Sequence, residues 1–87
     1  MSRLTSTPSL HVKAYSTRNV VFESSAYSVS AANQVGPLDI LPGHANLLSI
    51  LGDCSVIIDT DAGEQRFDIA KGLIRVVRDQ VTLFINL

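Results

Sequence analysis

The sequence has no tryptophan and only one cysteine, Cys54, in 87 residues. One thiol closes no intramolecular disulfide and builds no cysteine metal cluster, so packing alone must hold the fold; a lone thiol also fits a reducing compartment. Charge is sparse too. Only 17% of residues are charged, and the net charge is −1. The basic residues Arg3, Lys13, Arg18, Arg66, Lys71, Arg75 and Arg78 are scattered. Binding to a nucleic-acid backbone needs several such groups on one face, which argues against that partner class. Lys71, Arg75 and Arg78 form a loose grouping that reads as a solvated strand or turn. Long apolar runs are missing. The best stretches, residues 46–51 and 81–87, fall far below the roughly 20 residues that cross a bilayer, and the opening MSRLTS has no apolar signal core. The chain therefore reads as soluble or peripheral. The glycines, at positions 36, 43, 52, 63 and 72, stand singly, so no glycine-rich phosphate cradle exists.

What is present is apolar and strand-forming. Hydrophobic residues make up 46% of the chain, enough for one globular domain. At this length, folding buries only about 60–65% of the unfolded surface, so the core is thin. Residues 1–9, rich in Ser, Thr and Pro, read as a flexible lead-in, and residues 10–87 as one β-sandwich domain. Leu10, Val12 and Ala14 alternate with His11, Lys13 and Tyr15, and Phe67 and Ile69 alternate with Arg66 and Asp68, the period of half-buried strands. Turn signals at 16–19, 36–37, 41–43, 52–53, 61–63 and 78–80 recur at the spacing of short-stranded antiparallel sandwiches. Two hairpins stand out. One joins residues 56–60 to 65–69 through 61–64, with Gly63 supplying a positive φ in a bulged loop; the other joins 72–77 to 81–85 through Arg78, Asp79 and Gln80. Residues 46–51, NLLSIL, suit a helical turn or a buried strand equally, because a short apolar run has no diagnostic period.

The densest local feature is residues 36–45, with two Gly, two Pro and one His, which reads as a tight surface loop. A catalytic reading would use His44 as base, Asp39 as its orienter and Ser49 or Cys54 as nucleophile. No convergent polar set in the sequence supports it, so no catalytic residue is assigned. A metal centre is not supported either, since His11 and His44 are the only histidines and neither has a partner at ligand spacing. The run from Asp59 to Glu64 is not a calcium loop: its Gly comes one place early, and Ala70 stands where a bidentate Glu is needed. Cys54 lies beside an apolar run with no adjacent cation, and reads as a small buried hydrophobe. No cofactor is implied.

The segment GPLDILPGHANLL, residues 36–48, resembles the signature of the epsilon subunit of F-type ATP synthases, a Gly-x-x-Gly-Ile-Leu-Pro-Gly-His-Ala-x-Leu-Leu stretch. The resemblance holds in register from about residue 9 to residue 87. Residues 10–12 with Ser16 and Thr17 are similar to the family's first strand and turn, residues 21–23 to its second strand, and residues 28–31 to the strand entering the signature. Residues 67–76 and 81–83 follow the remaining pattern. Four positions depart from it: Asp39 replaces the second Gly, Pro37 stands where an acidic residue is frequent, Lys71 replaces the first Gly of a Gly-Gly pair, and Cys54 replaces a Gly.

The resemblance implies an all-β fold, a flattened antiparallel sandwich of two roughly five-stranded sheets. It also implies a non-catalytic central-stalk role: binding the gamma subunit and the c-ring, and coupling proton transport to ATP synthesis as a peripheral component at the cytoplasmic face of a bacterial membrane. The c-ring-facing loop would be Gly36, Pro37, Leu38, Asp39, Ile40, Leu41, Pro42, Gly43 and His44. The C-terminal helical hairpin that regulates ATP hydrolysis in the family has no counterpart in these 87 residues. The alternative expectation is a stand-alone, cytoplasmic sandwich of the same descent that binds another protein or a small ligand outside the synthase.

Overall fold

The computed structural model describes residues 7–85. The lead-in expected over residues 1–9 lies mostly outside that range, and residues 7–9 have no regular structure. Nine strands follow: β1 (Leu10–Ser16), β2 (Asn19–Ala26), β3 (Ser28–Asn33), β4 (Gly36–Ile40), β5 (Leu47–Leu51), β6 (Cys54–Thr60), β7 (Gly63–Ile69), β8 (Gly72–Val77) and β9 (Gln80–Ile85). They form two sheets, one of five strands in the order β2-β1-β9-β8-β5 and one of four in the order β4-β3-β6-β7. The architecture is the expected all-β sandwich, with five and four strands, and its pairings are antiparallel except for the parallel pairing of β1 with β9.

Alternation decides what lies between the sheets. Val12, Ala14, Ile74, Val76, Val81 and Leu83 from the larger sheet meet Val29, Ile40, Val56 and Ile58 from the smaller, all fully or almost fully buried. Each such Val, Leu or Ile contributes about 1.5–3 kcal/mol by leaving water. Thr60 is the one buried polar residue among those described, and its hydroxyl closes the β6–β7 turn, donating to the Gly63 carbonyl at 2.7 Å and accepting from the Ala62 amide at 3.1 Å.

Both expected hairpins form, with tighter turns than their sequences suggest. Thr60 pairs with Gly63, leaving two residues in the turn rather than a bulged loop. Arg78 and Asp79 turn β8 into β9 with φ of +49° and +64°, the left-handed pair of a type I′ hairpin turn. A bulge occurs instead in β2: Ala14 pairs with Phe22 and Tyr15 with Val20, so Val21 is the extra residue.

Two segments differ from their sequence reading. Residues 36–40, read as part of a loop, form the edge strand β4, paired with β3 from Val29↔Ile40 to Asn33↔Gly36. The turn before it is made by Asn33, whose side-chain oxygen accepts from the amides of Val35 and Gly36 at 2.9 and 3.1 Å. Residues 47–51, open between a helical turn and a buried strand, are the edge strand β5, paired only with β8 among the described strands.

Candidate interaction surface

In a β-sheet, residues paired across neighbouring strands share a face whether the strands run parallel or antiparallel, so the pairing register maps each outer surface. Across the larger sheet the register gives Ile50↔Leu73, Leu73↔Phe84, Phe84↔Tyr15 and Tyr15↔Val20. These five side chains form one row running from edge to edge on the side away from the core. Its neighbour is mixed: Leu48↔Arg75, Arg75↔Thr82, Thr82↔Lys13 and Lys13↔Glu23. Leu48 and Ile50 are each 67% exposed, and Val20 is 48% exposed. A solvated sheet face normally carries polar residues at these positions.

The row has internal order. The Tyr15 and Phe84 rings stack with centroids 5.3 Å apart, and the Lys13 ammonium sits 5.4 Å from the Tyr15 ring centre. Interaction with Tyr15, then with the Glu23 carboxylate, raises the Lys13 pKa above its ordinary value. His11 Nε2 lies 2.8 Å from Glu23 Oε2 beside them. At the β5 edge the apolar surface turns a corner into a shallow groove of about 360 Å³, lined by Asn33, Gln34, Val35, Leu48, Ser49 and Ile50. Val35 at its lip is 95% exposed, and Asn33 Nδ2 donates to Ser49 Oγ at 3.2 Å across its floor.

The opposite outer face is polar and mostly acidic. Asp39, Ser30, Ile57 and Arg66 form one row, and Ser28, Asp59 and Glu64 the next. Ser55 donates to Asp68 Oδ1 at 2.6 Å, and Arg66 donates to the same oxygen at 3.0 Å. First the serine and then the guanidinium hold the Asp68 carboxyl below its ordinary pKa.

The residues singled out from the sequence separate in space. Pro37 and Asp39 lie on the outer side of β4, whereas Ile40 is fully buried and Leu38 packs against the core. Leu41, Pro42, Gly43 and His44 form a type II turn beyond β4: Gly43 has a φ of +83°, and the His44 amide donates to the Leu41 carbonyl at 3.0 Å. His44 Nδ1 donates to the Ala45 carbonyl at 2.7 Å, and Ser49 bonds Asn33. Cys54 is half-buried against the core rather than fully buried. His44, Asp39, Ser49 and Cys54 thus sit on four different elements, and His44 and Ser49 bond elsewhere. Among the described residues, no three His, Cys, Asp or Glu side chains are placed to hold a metal ion. The apolar row escaped sequence reading because each of its members is the minor face of its own strand.

Fold and surface together define a β-sandwich domain whose distinctive exposed chemistry is an apolar sheet face. The sequence profile of the ATP synthase delta/epsilon chain β-sandwich domain matches residues 9–86. The chain belongs to this family. It is similar to the ATP synthase epsilon chain of Ruthia magnifica subsp. Calyptogena magnifica, 36% identical over 75 residues that cover 86% of this chain and 54% of that one. The epsilon chain of Bordetella parapertussis is 35% identical, again with 54% of its length covered. The chain thus spans about half the length of these relatives, although it covers 82% of the Micrococcus luteus epsilon chain at 33% identity. Two solved assemblies contain chains with the same fold. One is the mitochondrial ATP synthase of Euglena gracilis, with OSCP, F1 and c-ring (TM-score 0.82, 12% identity, 91% of this chain and 51% of that one). The other is the central stalk and c-ring of the Tetrahymena thermophila mitochondrial enzyme (TM-score 0.74, 12% identity, 88% and 63%).

Proposed function

We propose that this domain is a non-catalytic central-stalk component of an F-type ATP synthase, docking the gamma subunit on the outer face of its five-stranded sheet and meeting the c-ring with the turn at residues 41–44. In that position it helps couple proton transport to ATP synthesis, peripheral to the membrane. The observation that carries this reading is the apolar row Ile50, Leu73, Phe84, Tyr15 and Val20, which leaves aromatic and aliphatic surface in water unless another protein covers it. Aromatic anchors at the centre of such a patch are where binding energy concentrates. Membership of the epsilon-chain family favours gamma as the occupant. Within residues 36–44 the ring contact falls to Leu41, Pro42, Gly43 and His44, with Pro37 and Asp39 flanking, because Leu38 and Ile40 are committed to the core.

Calorimetric titration of the folded chain with its own gamma subunit tests the reading. Saturable binding that is weakened by substitution at Phe84, and not by substitution at Asp59 or Glu64 on the polar face, supports it. A folded domain that ignores gamma overturns it and leaves the alternative, a sandwich that uses the same face for a partner outside the synthase.

A further inference from the structure

Residues 41–46 cross from β4 in one sheet to β5 in the other, and within the segment itself the bonds are short-range, the Leu41–His44 turn bond and that from His44 Nδ1 to the Ala45 carbonyl. Leu41, Pro42, Gly43, Ala45 and Asn46 are all exposed, so packing does little to hold them. Two bonds from the β8–β9 turn do. The Gly43 amide donates to Asp79 Oδ1 at 2.8 Å, and the Arg78 amide donates to Asn46 Oδ1 at 3.2 Å. On its other side the Asp79 carbonyl accepts from the His11 amide at 2.9 Å, at the start of β1. Asp79 therefore joins the tip of the crossover to the sheet that bears the apolar row. It does so from φ +64°, next to Arg78 at +49°, a left-handed pair in which glycine and asparagine are the favoured residues. A non-glycine pair held in this region marks a position where the surrounding bonds dictate the conformation.

We propose that Asp79 is a positioning residue, locking the residue 41–44 turn to the five-stranded sheet so that the ring-facing and gamma-facing surfaces keep one mutual geometry. This rests on the reading given above. Its physical content is simple: a charge-assisted bond to the central amide of the turn resists reorientation of an otherwise solvent-held loop. Without it, force applied at the turn would bend the crossover before reaching the sheet.

Two substitutions separate the bond from the backbone conformation. Asp79→Asn and Asp79→Gly both tolerate the left-handed φ, but only asparagine keeps an acceptor oxygen in place. For each, three quantities are measured: hydrogen exchange of the Gly43 amide, affinity for gamma alone, and affinity of the gamma-bound domain for detergent-solubilised c-ring. Asp79→Gly is expected to speed Gly43 exchange and weaken ring binding, each by roughly tenfold or more, the scale of one hydrogen bond to a charged group. Gamma affinity stays within about twofold, and Asp79→Asn, which keeps the bond without its charge, falls between the unsubstituted chain and Asp79→Gly in exchange and ring affinity. Unchanged Gly43 exchange in Asp79→Gly overturns the lock, as does unchanged ring affinity in a chain whose parent binds the ring. If the parent chain binds no ring, the ring-facing reading is lost, and the Gly43 amide alone decides whether Asp79 holds the turn.

Discussion

The Tyr15 and Phe84 rings stack 5.3 Å apart and 14° from parallel on the outer side of the five-stranded sheet, brought together by the parallel pairing of β1 with β9. Such a pair adds about 0.5–1.5 kcal/mol beyond its buried area, yet both rings remain half-exposed in the isolated domain. Their larger contribution is available only when a partner covers them. Phe84→Ser is therefore expected to lower the stability of the free domain by about 1–2 kcal/mol, read by urea denaturation. Its affinity for gamma should drop by roughly tenfold or more, read by calorimetry. An affinity unmoved by this change would show that the row is not where gamma sits.

The β5 edge leads to a second prediction. The other edges carry blocking features: a bulge and Glu23 on β2, Pro37 and Asp39 on β4, and Glu64, Arg66 and Asp68 on β7. Strand β5, reading LLSIL, has no charge, proline or bulge, and its two outward side chains are well exposed. Leu48→Lys with Ile50→Lys should cost no more than about 2 kcal/mol of unfolding stability, since one change sets like charge opposite Arg75 and the other removes the apolar pair with Leu73. Sedimentation equilibrium should show concentration-dependent self-association in the parent chain and its loss in the double variant. Equal sedimentation of both chains, monomeric at high concentration, would show that this edge is not sticky.

Strand existence was legible because period-two alternation is local: Leu10, Val12 and Ala14 announce their buried face without reference to anything else. Strand environment was not. NLLSIL has the same composition whether it is central or at an edge, and only pairing with β8 alone distinguishes the two. The signature segment misled in a similar way, since Pro37 reads as loop although an edge strand tolerates proline where its amide faces away from the ladder. The apolar row needed the registers of four strand pairs at once, and the Asp79–Gly43 bond spans 36 positions of sequence. Non-local geometry of this kind leaves no trace in a local pattern.

A third prediction concerns Gly72, the first residue of β8. A Cβ built there would lie 2.7 Å from the Phe84 carbonyl oxygen and 3.1 Å from Ile69 Cδ1. Its φ is not in the left-handed region, so the constraint is space rather than conformation. Backbone oxygen cannot rotate away as a flexible side chain can. Gly72→Ala should destabilise the domain by about 1–3 kcal/mol, the range for overpacking a tight core site. The melting temperature should then fall by about 4–8 °C per kcal/mol at this chain length. A variant melting with the parent would mean that β8 and β9 separate at Gly72 without cost.

The polar face supplies a prediction in pH. Asp68 is held below its ordinary pKa of 3.8, chiefly by the Ser55 hydroxyl and then by Arg66. A carboxyl with a depressed folded-state pKa stabilises the fold at every pH above its unfolded value, and that contribution is lost as pH falls through the folded value. Asp68→Asn should therefore be less stable than the parent at neutral pH, with the gap closing as pH drops below about 3.8. The two partners can be removed separately. Ser55→Ala and Arg66→Gln should each remove part of this acid dependence. Added salt near 1 M, where screening acts over about 3 Å, should weaken only the Coulomb part of the arginine contribution and leave both hydrogen bonds in place. Urea denaturation across pH 2–6 for the four chains reads all of this, and an acid dependence that neither substitution reduces would show that these two partners do not hold the Asp68 carboxyl down.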